Sequence, residues 1–224
     1  MSASNCSTTP PHTEYCCCGL VSDESAKAFL DAKAPKSRFR GSLDVPLNLE
    51  GWKAAINAGF HLRECGDFKL IVHDWQQRTR DTAKCVKLFF PGAELAQHGV
   101  HSQQLGWLEG RKVTEDSLNI MKHYISNPSL IPHPGCEGNL PPQSFYEWIN
   151  EWFWTYDQLK RYAEEEKCRT LIVTHNRNIQ AILSRKGNWV DFKRFDVHGP
   201  KPCEAVEISQ YLTLLRHGDT DWGT

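Results

Sequence analysis

Residues 211–224 read YLTLLRHGDTDWGT, and this stretch decides the fold. Five mostly apolar residues, Tyr211 to Leu215, run straight into Arg216, His217 and Gly218. A short apolar run closed by a Gly-containing turn predicts a buried strand. A charged pair at such a strand end lies where an open α/β sheet carries its chemistry.

Two other stretches repeat the pattern. FKLIVH at 68–73 and TLIVTH at 170–175 are short continuous apolar runs ending in a titratable group. Between the runs, apolar positions recur at helical spacing. They predict helices over 50–64 (with Trp52, Ala55, Ile56, Ala58, Phe60 and Leu62 as the apolar set), 76–90, 114–125, 144–167 and 178–184. The helix from Ser144 carries Phe145, Trp148, Trp152, Tyr156 and Leu159 on one stripe, read as core. Glu94 to Gln97 and Cys203 to Ile208 are the remaining strands, the latter joined to Tyr211 by a tight turn at Ser209 and Gln210. Strands alternating with helices imply an α/β three-layer sandwich, with a mostly parallel sheet flanked by helices. Residues 37–224 are expected to form this domain. Residues 1–36, rich in Ser, Thr, Pro and Cys, read as an N-terminal extension, poorly ordered or covering the active site, with one short helix at 22–33. Asn127 to Pro142 is a Pro/Gly-rich excursion.

Composition narrows the function. With 26 Lys and Arg against 27 Asp and Glu there is no broad basic field, which argues against nucleic acid as a partner. No apolar run approaches the length of a membrane span, and residues 1–15 lack the features of a secretory signal. A cytoplasmic location is expected. Of the nine cysteines, Cys65, Cys85, Cys136, Cys168 and Cys203 read as small buried hydrophobes of a reducing compartment. Cys16, Cys17 and Cys18 are too close together to ligate one metal, and no metal or other cofactor is expected.

Carboxyl ends of parallel strands share one sheet edge, so Arg78, His175, Arg216 and His217 are expected to converge. Guanidiniums match phosphate oxygens. A neutral imidazole can attack phosphorus, and a second can donate to the oxygens as charge builds. Flanking positive charge keeps the nucleophile neutral near pH 7. The arginines supply charge that a metal would otherwise supply.

LLRHGDT resembles the Arg-His-Gly motif that opens the histidine phosphatase superfamily, which includes the phosphoglycerate mutases. RFRGSLDVPLNLEG is similar to the segment that follows the motif in that family, matching at Arg38, Gly41, Asp44, Pro46, Leu47 and Gly51. DWQQRTRDTA resembles the helix start bearing its second phosphate-binding Arg, here Arg78. LGWLEG resembles its Gly-x-Trp-Glu-Gly stretch at Gly106, Glu109 and Gly110, and LIVTHNRNIQAIL its second-His strand, placing that His on His175. The family's first strand comes last here, so the resemblance implies a circularly permuted phosphoglycerate-mutase-like fold. It also implies His217, Arg216, Arg78 and His175 as catalytic, with Gly218, Asp219, Thr220, Arg38, Gly41, Asn176 and Arg177 around the phosphate.

The chain departs from the pattern in three places. Gly223 stands where the family often has Asn. Ser102 stands where it often has the acid, leaving Glu109, His101 and Asp219 as alternative proton donors. Asn176 and Arg177 replace small residues, and Arg177 is either a third cation at the rim or a solvated helix residue. The implied activity is metal-independent hydrolysis of a phosphomonoester through a phosphohistidine. A phosphomutase, with Arg111 and Lys112 as a second anion clamp, and a catalytically impaired phosphate-binding or interaction module are the alternatives. The expected partner is a small phosphorylated molecule, with a homo-oligomer allowed.

Overall fold

The computed structural model describes residues 38–133, 141–195 and 199–220. Helix α1 spans Leu49–Leu62 and runs into a 3-10 turn, Arg63–Cys65. Strand β1 (Leu70–His73), helix α2 (Gln77–Lys87) and strand β2 (Glu94–Gln97) follow. After a 3-10 turn at Gly106–Leu108 come α3 (Glu115–Ser126) and α4 (Phe145–Glu165). Next are β3 (Thr170–Thr174), α5 (Asn176–Leu183), a small hairpin of β4 (Arg185–Lys186) and β5 (Trp189–Val190), and α6 (Phe192–Phe195). The described chain closes with β6 (Ala205–Ser209) and β7 (Leu212–Arg216).

The main sheet runs β2-β1-β3-β7-β6. Every pairing is parallel except β6 with β7. The central strands are apolar along their length because helices cover both faces. Alternation along each strand then assigns the faces. Leu70, Val72, Ile172, Leu212 and Leu214 point into one core with α3, α4 and α5. Ile71, Leu171, Val173 and Leu215 point into the other with Ala58 and Leu62 of α1 and Ala83 and Val86 of α2. This is the expected three-layer sandwich.

Local chemistry sets the helix ends. Asn48 accepts from the Gly51 amide at 2.7 Å, and Thr114 and Ser144 each head a capping box. The Phe145-to-Leu159 stripe of α4 is buried, as expected for core. Helix α1 departs from its expected face. Ala55, Ala58, Gly59 and Leu62 are buried, whereas Trp52, Ile56 and Phe60 are exposed. Gly59 sits against Val86 and Phe89, an approach that only small residues allow. The cysteine expectation also needs correction. Cys85 is buried, but Cys65 is exposed and Cys168 and Cys203 are half-buried, all as free thiols. Cys16, Cys17, Cys18, Cys136, Gly223, the 22–33 helix and the extension lie outside the described residues. Among the described residues, no helix is long and apolar enough to cross a membrane.

Candidate active site

Strands β1, β3 and β7 end on one edge of the sheet, with Thr174 level with Arg216. The His217 amide extends the ladder by donating to the Thr174 carbonyl at 3.0 Å. Beyond it, the Gly218 amide donates to Thr82 Oγ1 at 3.1 Å, tying the loop to α2. His217 Nδ1 lies 2.6 Å from the Gly218 carbonyl. A carbonyl can only accept, so Nδ1 carries the proton and Nε2 the lone pair. The His175 ring meets the His217 ring edge-on, centroids 5.1 Å apart. Burial pushes the His217 pKa well below the ordinary imidazole value, and the charges of Arg78, His175, Arg40 and Arg216 push the same way. The imidazole is therefore neutral near pH 7, as a nucleophile must be.

Arg78 is completely buried, and its fork is held by backbone. Nη1 donates to the Leu43 carbonyl at 2.7 Å, and Nη2 to the Gly41 carbonyl and Gln76 Oε1, both at 3.1 Å. Burial lowers its pKa to about 10, which leaves it charged at neutral pH. Arg216 donates through Nη1 to the Pro200 carbonyl at 2.8 Å. Arg38 was expected around the phosphate. It is exposed, and its Nη1 donates to the Gly110 carbonyl at 2.5 Å. Arg40, two residues on and immediately before the turn at Gly41, is the half-buried arginine of this segment. Its charge acts on Arg216, Arg78 and His217, and burial lowers its pKa to about 10. Nε of Arg40, Arg78 and Arg216 is in each case buried with no hydrogen-bond partner among the described residues. Buried donors of this kind ordinarily find an acceptor, and an oxyanion supplies several.

His175 has a buried partner that the sequence reading did not single out. Its Nε2 lies 2.6 Å from Asp74 Oδ2, and Asp74 is fully buried. Burial lowers the His175 pKa to about 4, against the opposing pull of Asp74 and with help from Arg78. Burial opposes ionisation of Asp74, but His175, the Thr79 hydroxyl and Arg78 outweigh it and hold its pKa below the usual carboxylate value.

The other candidates are placed as follows. Glu109 is buried and its carboxylate is occupied: Oε1 accepts from the Ser42 and Leu105 amides at 2.7 and 2.8 Å, Oε2 from the Ser42 hydroxyl at 2.6 Å. It braces the Gly41 loop rather than standing free as an acid. Gly41, at φ +50°, packs so close to Glu109 that a side chain there would overlap the carboxylate. Its carbonyl accepts from Arg78, Gln76 and Ser102. Asp219 is half-buried, its charge opposing those of Arg40 and Arg216, and its carbonyl accepts from the Asn48 amide at 3.1 Å. His101 Nε2 faces Glu151 at 3.6 Å. Thr220 is buried and bridges to Leu47. Gly218 packs on α1, where a Cβ would lie 2.6 Å from the Gly51 carbonyl. Asn176 opens α5 against Gly199. Arg177 lies over the Phe195 ring at 5.6 Å.

Two residues of this cluster, Arg40 and Asp74, were not singled out from the sequence. Alternation gives no signal for Arg40, because residues two apart in an extended segment share a face. A signal for Asp74 existed in its place between a buried strand and a helix start, where Asx residues cap. The long-range bond to His175, 101 residues away, has no local signature.

No curated protein matches the sequence. Solved structures of similar fold include the alpha-ribazole phosphatase of Shigella flexneri, with TM-score 0.54, 17% identity, and coverage of 87% of this chain and 91% of that one. Mycobacterial glucosyl-3-phosphoglycerate phosphatase with inorganic phosphate gives TM-score 0.55 at 15% identity, covering 86% and 96%. The description "Histidine phosphatase superfamily (branch 1)" matches residues 32–209, well over half of the chain, and the chain belongs to that family.

Proposed function

We propose that this protein is a metal-independent phosphatase that hydrolyses a small phosphomonoester through a phosphohistidine. The carrying observation is His217: neutral, with Nδ1 committed to Gly218 and Nε2 left as the nucleophile beside Arg40, Arg78, Arg216 and His175. Nε2 attacks phosphorus in line. Arg216, Arg40 and Arg78 steady the phosphoryl oxygens, the leaving oxygen takes a proton, and water then cleaves the N–P bond. Two similar folds belong to phosphatases, of alpha-ribazole and glucosyl-3-phosphoglycerate type by name, which supports hydrolysis as the class of reaction. Arg111 stacks on Trp107 at 3.8 Å and donates to its carbonyl, which weakens a mutase reading that needs a second anion clamp.

The same reading includes a circular permutation. The family match spans 32–209 and stops short of β7, which nonetheless pairs inside the sheet between β3 and β6. The loop after β7 meets the 38–48 segment through the Leu47–Thr220 bridge, as the segment following the family motif would.

His217→Ala is the direct test. It should abolish turnover on a panel of sugar phosphates, phosphoglycerates and aryl phosphates, together with any acid-labile phosphoenzyme. Retained turnover would sink the mechanism.

A further inference from the structure

We propose that His175, oriented by the buried carboxylate of Asp74, is the acid that protonates the leaving oxygen and the base that then activates water. The assignment rests on the phosphatase reading above and deepens it.

The site needs a proton donor, and of the carboxylates near it Glu109 and Asp44 are held by backbone hydrogen bonds. At the position where the family often has an acid stands Ser102, whose hydroxyl donates to the Gly41 carbonyl at 2.5 Å. An alkanol is no acid at neutral pH. Glu109 is spent on Ser42 and Leu105. Asp219 follows the nucleophile on its own loop, where its charge offsets those of Arg40 and Arg216. Asp44 accepts from the Gln77 amide at 2.5 Å.

Asp74 is built for a different task. Its Oδ1 accepts from the Gln76 amide at 2.8 Å and from the Thr79 hydroxyl, which fixes the carboxylate against α2. That leaves Oδ2 for His175 Nε2 at 2.6 Å. An ionised carboxylate can only accept, so Nε2 carries a proton and Nδ1 is the working nitrogen. Nδ1 has no hydrogen bond among the described residues. The groups facing this imidazole are Asp74 from the β1–α2 connection, Arg78 from α2, His101 from the loop after β2, and His217 from the loop after β7.

Without substrate His175 is neutral, because burial and Arg78 outweigh Asp74. A phosphomonoester reverses the local charge balance. Its second ionisation lies near 6, so it can enter as a monoanion and pass its proton to Nδ1, where Asp74 stabilises the imidazolium. As His217 Nε2 forms the N–P bond, the P–O bond breaks and its electron pair stays on the leaving oxygen. The Nδ1 proton goes to that oxygen. In the second half Nδ1 takes a proton from water, the water oxygen bonds to phosphorus, and the N–P electrons return to His217.

The test separates proton donation from folding and binding. Rapid-quench bursts of phosphoenzyme would be measured with phenyl phosphate, a poor leaving group, and dinitrophenyl phosphate, which needs no proton. Asp74→Asn should slow the phenyl phosphate burst about 100-fold more than the dinitrophenyl burst. Equal slowing of the two would overturn the assignment and leave Asp74 a structural residue. If Asp74→Asn does not fold, wild-type burst rates across aryl phosphates decide. They should depend weakly on leaving-group pKa, and a steep dependence would overturn the proposal. A wild-type protein that forms no phosphoenzyme with any of them would instead overturn the phosphatase reading, and this assignment with it.

Discussion

Arg38 and Arg40 differ by two positions and by everything that matters to the site. Both sit at the start of the domain, where alternation alone would put them on one face with Phe39 on the other, and Arg40 directly precedes the turn at Gly41. Arg38 turns outward to the Gly110 carbonyl, and Arg40 turns inward toward Arg216, Arg78 and His217. Clustering like charges is unfavourable without an anion. Asp219 offsets it only in part, and the three buried guanidinium Nε donors remain for phosphate oxygens. Arg40→Ala should lower kcat/KM by about tenfold to a hundredfold, the size of one lost charged hydrogen bond. Arg38→Ala should stay within a factor of about three, as for an exposed cation. Steady-state kinetics on the two variants check this, and the reverse order would put Arg38 rather than Arg40 at the phosphate.

At the scale of elements, the β6–β7 connection carries the main topological claim. Tyr211 closes a short turn after Ser209, and β7 pairs with β6 antiparallel and with β3 parallel. If this turn joins what are ends in the family's usual order, cutting it costs little sheet structure. A chain re-cut between Ser209 and Gln210, with residues 224 and 1 joined by a Gly/Ser linker, should fold and keep the wild-type kcat within about tenfold. Circular dichroism and turnover would read the result. An unfolded re-cut chain would count against the permutation. Much of the element layout was readable beforehand. The apolar runs at β1, β3 and β7 announced themselves because both sheet faces are covered. The stripe of α4 did so because one helix face fills a core. The face of α1 was misread because periodicity weighs Trp52, Ile56 and Phe60 as core, whereas close packing on α2 selects the small side. The β4–β5 hairpin and α6 were missed because elements of two to four residues have no period to detect.

The whole molecule should respond to acid through its buried site. The folded-state pKa of His175 is lowered from 6.5 to about 4, and that of His217 is lowered well below 6.5, both mainly by burial. Between those values the unfolded chain binds protons that the folded chain refuses. Stability is therefore fully present above pH 6.5 and falls as pH drops toward 4. Asp74, its folded pKa also lowered, loses its contribution in the same direction at still lower pH. The His175 shift alone makes the loss on the order of 3 kcal/mol, and His217 adds to it in the same direction. Urea midpoints between pH 8 and pH 4 should show a steady decline that starts near 6.5. A flat profile would mean that the histidines are protonated in the folded state.

The sequence by itself determined the strands, most helices, the layering and the meeting of His217, His175, Arg216 and Arg78 at one edge. Those follow from apolar patterning and from parallel strands ending together, which are properties of the chain read locally. Only the tertiary structure decided which arginine of RFR faces the site, that Glu109 is a brace, and that Asp74 holds His175. Each of these depends on a contact between segments distant in sequence, with a direction set by packing, and no local pattern encodes it.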